Sequence, residues 1–126
     1  MNRRLLMIAG AAAVLAGCAG VQNPIAAPAG AGFELLEPLY SVAAGREALT
    51  IRVASSGCTK KEDFAFFVDR TSAGPRLAFG RKRIDPCKSF AMGSTEIAFT
   101  WAELGLEPRS AVFVLNPLTA WTGPGS

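Results

Sequence analysis

Leu49-Thr50-Ile51-Arg52-Val53 alternates apolar and polar side chains at every step. A period of two places Leu49, Ile51 and Val53 on one face and Thr50 and Arg52 on the other, the pattern of a strand with one side buried. The same period returns twice downstream. Phe64, Phe66 and Val68 alternate with Ala65, Phe67 and Asp69, and Ile97, Phe99 and Trp101 alternate with Glu96, Ala98 and Thr100 after a Met92-Gly93-Ser94 turn. Ser72-Ala73-Gly74-Pro75 is turn chemistry, so Leu77 and Phe79 are predicted to return as a hairpin partner for the Phe-rich strand. Val112 to Leu115, closed by Asn116-Pro117, reads as a last short strand, and Glu34 to Tyr40, interrupted by Pro38, as a weak edge strand. Thr100-Trp101-Ala102-Glu103 fits a capping box, which predicts one helical turn over Ala102 to Leu104 ending at Gly105. Short strands separated by turns, five or six of them, with one helical turn predict an all-β fold, a small antiparallel β-sandwich or barrel.

This β-domain is expected over residues 33–121, with 122–126 a disordered tail. Upstream, Ala19 to Gly32 consists of Ala, Gly and Pro with Val21, Gln22, Asn23 and Ile25, and carries no charge. Such a composition cannot form a core and favours extended conformations, so it reads as a flexible linker. Its fourteen residues would reach about 45 Å when fully extended.

The N-terminus has the layout of an export signal. Arg3 and Arg4 form a basic region, and Leu5 to Gly17 is an uncharged run of thirteen residues. A spanning helix needs about 20 apolar residues, and this run is followed by Gly20, Asn23 and Pro24. Leu15-Ala16-Gly17-Cys18 resembles the lipobox of bacterial lipoproteins. The resemblance implies that Cys18 receives diacylglycerol on its thiol, that a signal peptidase cuts between Gly17 and Cys18, and that the new amino group is often acylated, as with palmitate. One acyl chain holds a protein to a membrane only reversibly, at about 0.8 kcal/mol per buried CH₂, whereas two or three anchor it durably. An ordinary secretory signal cut after Ala19, or an uncleaved short anchor, are the competing readings. Ala19 after the lipidated cysteine implies, by the same resemblance, the outer membrane, with the domain facing the periplasm. Ser55 to Lys61, Asp85 to Phe90 and Ala102 to Leu106 further resemble a small bacterial lipoprotein family to which no activity attaches.

Assigning Cys18 to lipid resolves the odd count of three cysteines: Cys58 and Cys87 remain as a pair for an oxidising compartment. Closing that loop would stabilise a small domain by about 3 to 4 kcal/mol on the chain-entropy model. A metal site is the weaker alternative, because there is no CxxC spacing and no histidine. No cofactor is expected.

The catalytic constellations are sparse. Without histidine there is no Ser-His-Asp triad and no Cys-His pair in this chain. Ser55 and Ser56 lie near Lys60 and Lys61, but the third residue after each is Cys58 and Thr59, so the Ser-x-x-Lys spacing fails. Glu62 with Asp63, and Glu96 with Glu103, read as solvation or capping groups rather than acid–base pairs. Gly57 and Gly74 stand alone, so no phosphate loop is present. The domain is expected not to be an enzyme.

Charge restricts the partners. Losing Arg3 and Arg4 with the signal leaves eleven basic against ten acidic residues, a net charge of +1. That offers no general case for nucleic acid, whose binding rests on many neutralised phosphates. Pairing Cys58 with Cys87 would nevertheless gather Lys60, Lys61, Arg81, Lys82, Arg83 and Lys88 at one end of the domain, diluted by Glu62, Asp63 and Asp85. The plain reading of these is a solvated, partly salt-bridged loop face. The functional one is a patch for an acidic partner, namely lipid headgroups, an acidic polymer or an envelope protein. Phe64, Phe66 and Phe67 are expected in the core, with Phe67 alternatively in an apolar interaction patch. Two function classes follow: a lipid-anchored envelope lipoprotein that binds or spaces something near the membrane, and a periplasmic inhibitor of a lytic enzyme or protease.

Overall fold

The computed structural model describes residues 25–88 and 93–123. The expected signal and lipobox from residue 1 to Cys18, the start of the expected linker, Met92 of the expected turn and the end of the expected tail lie outside the described residues. The strands are β1 (Ser41–Ala44), β2 (Ala48–Ser55), β3 (Phe64–Thr71), β4 (Gly74–Arg81), β5 (Gly93–Thr100) and β6 (Phe113–Val114), with one short helix, α1 (Trp101–Leu104). They form two three-stranded sheets, ordered β1-β2-β5 and β3-β4-β6. The fold is the small all-β sandwich that the period of two predicted.

The register explains the alternation. In the first sheet Ile51 faces Ile97 and Leu49 faces Phe99; in the second Phe66 faces Phe79 and Val68 faces Leu77. Each sheet thus turns one apolar row inward. Across the gap Phe99 meets Phe66 edge-on at 5.7 Å and Phe79 at 5.1 Å between ring centroids. Leu49, Ile51, Val53, Leu77 and Phe79 are buried at the centre. Removing side chains of this kind from water stabilises the fold by about 1.5 to 3 kcal/mol each.

The capping box forms as expected. Thr100 Oγ1 accepts from the Glu103 N–H, Glu103 accepts from the Thr100 N–H, and Gly105 closes the helix in the left-handed region at φ 70°. Trp101, at the head of this turn, is buried and its Nε1 donates to the Gly45 carbonyl at 3.0 Å, pinning the β1–β2 turn.

Three features differ from the sequence reading. Glu34 to Tyr40 is not a strand, because its backbone groups are shared among several partners. Glu37 N–H donates to the Phe79 carbonyl at 2.9 Å, Leu39 bridges to Leu118, and Tyr40 N–H donates to the Arg52 carbonyl at 2.8 Å. The segment therefore crosses from one sheet to the other, with Pro38 where no donor is needed. Second, β6 runs parallel to β4, over Arg76 and Leu77 only. Beyond that point Asn116 continues the ladder with its side chain. Its Oδ1 accepts from Phe79 N–H at 2.8 Å, and its Nδ2 donates to the Phe79 and Glu37 carbonyls at 2.7 Å each.

Third, the described part of the expected linker is paired. Ile25 and Ala27 hydrogen-bond with Leu36 and Glu34 in an antiparallel bridge. The returning arm then packs Phe33 on the outer face of β4, directly over Gly80. A Cβ at Gly80 would lie 2.2 Å from the Phe33 ring, so only glycine fits beneath it.

Candidate functional site

Both termini of the β3–β4 hairpin that lie away from its turn end at the same place, where the loops 56–63 and 82–88 meet. Cys58 and Cys87 are joined by a disulfide, with their Cα atoms 5.6 Å apart. Beside it sits Asp85, which the sequence reading counted only as a charge diluting the cations. Its Oδ2 accepts from Ser56 N–H at 2.7 Å, Thr59 Oγ1 at 2.7 Å and Cys58 N–H at 3.1 Å, and its Oδ1 from Cys87 N–H at 2.9 Å. Partial desolvation pushes this carboxyl up, but the bonds from Thr59, Cys87, Ser56 and Cys58 together outweigh it and hold Asp85 well below the usual carboxylate range. Asp85 with the two cysteines has the compactness of a metal site. The sulfurs, being bonded to each other, offer no thiolate to an ion.

The six predicted cations divide into two groups. Arg81 is committed to the fold: its Nε and Nη2 donate to Glu37 Oε2 at 3.1 and 2.7 Å, its Nη1 to Thr59 Oγ1, its Nη2 to the Ala54 carbonyl, and its guanidinium lies over the Phe64 ring. Lys61 is paired with Glu103 at 2.7 Å and lies 5.2 Å from the Phe99 ring centroid. That bond from Lys61, followed by the one from the Thr100 N–H, holds Glu103 below its ordinary value. Arg83 approaches the buried Asp63 only to 3.8 Å and remains largely exposed. Lys60, Lys82 and Lys88 are exposed and make no ion pair among the described residues. Of the acidic pairs, Glu96 is bonded to Arg52 and Glu103 to Lys61, so each carboxylate has a structural partner. Phe67 is half-buried on the face of β3 away from the core.

Next to the stapled loops lies a groove of about 890 Å³ that the sequence reading missed. One wall is the arm carrying Ile25, Phe33 and Leu35; the other is the loop after β4, with Lys82, Arg83 and Ile84. Arg81 and Glu37, which neutralise each other, also line it. The loop is fastened on both sides of Ile84. Lys82 N–H donates to the Asp63 carbonyl at 2.7 Å, and Asp85 is held by five residues, Ser55 Oγ at 3.4 Å being the fifth. Ile84 between these clamps is 84% exposed, and Leu35 and Ile25 opposite it are exposed too. Little in the sequence signals this groove, because Ile25 sits in an apparent linker and Ile84 stands alone after three cations.

Comparison with protein-family models, curated proteins and solved structures finds no match to this chain. Among the described residues no helix is long and apolar enough to cross a membrane.

Proposed function

We propose that this chain is a lipid-anchored lipoprotein of the bacterial cell envelope, whose small β-domain acts without catalysis by binding or spacing at the membrane. The observation that carries the reading is the Cys58–Cys87 bond. Disulfides belong to oxidising compartments outside the cytoplasm. This one uses two of the three cysteines and leaves only Cys18, which stands at the end of Leu15-Ala16-Gly17. A basic start, a short apolar run, a lipobox-like stretch and a structural disulfide agree on one address, and by the lipoprotein resemblance Ala19, where an Asp would retain the protein, favours the outer membrane with the domain in the periplasm.

Replacing Cys18 with alanine tests this. The parent protein is expected in the membrane fraction, with a diacylglyceryl mass on its N-terminal peptide; the Cys18→Ala chain is expected to keep its signal and to yield none of the lipidated product. Membrane-bound mature Cys18→Ala protein of normal size would refute the anchor. So would oxidised protein in which Cys18 is joined to Cys58 or Cys87.

A further inference from the structure

We propose that the groove beside Ile84 docks the domain onto the anionic face of the bilayer that holds its own lipid anchor. The inference rests on the lipid-anchor reading and goes beyond it, because it makes the domain a membrane-lying module and not a spacer held at a distance.

Reach is the first argument. The pairing of Ile25 and Ala27 with the arm beyond them removes half of the apparent tether. Cys18 and Ile25 are seven residues apart, a span of about 25 Å at the most. Ile25 itself lines the groove. An anchored chain therefore keeps the groove within a short distance of the headgroups, where a weak surface contact becomes an intramolecular event at high effective concentration.

Chemistry is the second. The groove combines what an anionic bilayer presents, a charged layer over an apolar one. Lys82 and Arg83 stand at the rim beside the exposed apolar side chains Ile25, Leu35 and Ile84. Glu34 is the opposing charge at the rim, and Glu37 is already neutralised by Arg81. Lys60 and Lys88, on the loops joined by the disulfide, add exposed positive charge to the same end of the domain, against one exposed carboxylate there, Glu62. Arg83 makes no hydrogen bond to Asp63, so turning to a phosphate costs it only an ion pair at 3.8 Å. Ile84 is kept in water by clamps on both sides, so burying it costs little further ordering.

The test uses the lipidated full chain carrying Ile84→Trp, placed in vesicles of phosphatidylcholine with about 30% phosphatidylglycerol and brominated acyl chains as quencher. Reporter emission is expected to shift to the blue and to be quenched by the bromines, beyond the signal of the parent chain's own Trp101 and Trp121. A cation near an anionic surface is worth about a factor of five, so Lys82→Ala with Arg83→Ala is expected to lower the docked-to-undocked ratio by about 30-fold. High salt should act in the same direction. Both side chains are exposed, and a thermal melt of the double variant checks that the fold keeps its stability when Arg83 is lost from beside the buried Asp63. An unquenched reporter, or quenching that the double substitution leaves unchanged, overturns the proposal. A blue shift that depends on protein concentration and is shielded from bromine would assign the groove to a second copy and overturn it as well. Mass analysis of the same sample separates the two readings: an unlipidated Cys18 refutes the anchor and the docking together, whereas a lipidated chain with an unquenched reporter refutes the docking alone.

Discussion

Replacing the buried Asn116 with alanine is expected to destabilise the domain strongly. The side chain acts as a spare peptide group. It returns both hydrogen bonds of Phe79 and reaches the Glu37 carbonyl, three bonds of 2.7 to 2.8 Å in a buried setting. Alanine leaves the Phe79 carbonyl with its bond from Glu37 N–H, but strips the Phe79 N–H of its acceptor. An orphaned buried donor costs about 1 to 3 kcal/mol, and each further lost bond about 1 kcal/mol. The expected loss is therefore about 3 kcal/mol, a large share of the 5 to 15 kcal/mol typical of a folded domain. With a urea slope of about 1 to 1.5 kcal/mol/M for a chain of this length, the midpoint should fall by about 2 to 3 M. Trp101 fluorescence reports the transition, and hydrogen exchange at the Phe79 amide should lose its protection. Asn116→Asp sharpens the test. It keeps the acceptor for Phe79 N–H but turns lone pairs toward two carbonyls, so its carboxyl is pushed up in the fold, and its stability is greatest at acid pH and falls as pH rises. An alanine variant within about 0.5 M of the parent, with unchanged slope, would show that the crossing segment is held by something else.

Two other substitutions address the stapled end. Asp85→Asn replaces an acceptor of five donors with an amide that keeps one oxygen and turns an N–H group toward the donors on the other side. Because the fold holds Asp85 below its ordinary value, the parent's advantage is full above about pH 4 and closes as the solution is acidified below that. Thermal melts of both proteins across that range check the sign, and a gap that does not change with pH would refute it. Arg81→Lys keeps the charge but loses the fork onto Glu37 and the bonds to Thr59 and Ala54. Partly buried as the pair is, the expected cost is about 2 to 3 kcal/mol by urea unfolding; a loss under about 0.5 kcal/mol would place the pair with ordinary surface bridges.

What could be read in the sequence was what is decided locally. Leu49, Ile51 and Val53 reveal their strand because pleating alone fixes a period of two, and Thr100 with Glu103 reveals a helix start because both capping bonds close within three residues. Glu34 to Tyr40 misled because its alternation resembles a strand while its partners, Phe79, Leu118 and Arg52, are set by topology. Asn116 looked like turn punctuation before Pro117, and nothing nearby in sequence says that its amide completes a distant ladder. Asp85 was half legible. The bond from Cys87 N–H to Oδ1 is an Asx turn, the local geometry that Asp-Pro-Cys suggests, but its bonds to Ser56, Cys58 and Thr59 depend on the disulfide having brought the loops together.

The same dependence links the stability of this end to its exposed surface. A short sheet leaves the loops 56–63 and 82–88 without ladder partners, and a domain this small has little apolar mass to lay over them. They are held instead by a covalent bond, by a carboxylate with five donors and by a forked arginine. Polar and covalent fastening of that kind fixes the backbone without requiring every side chain to turn inward. It is therefore able to keep an isoleucine in water between two clamps, which a loop fastened by its own apolar contacts would bury. Reduction of Cys58–Cys87 should accordingly weaken surface docking by letting the Ile84 loop wander, although neither sulfur belongs to the groove.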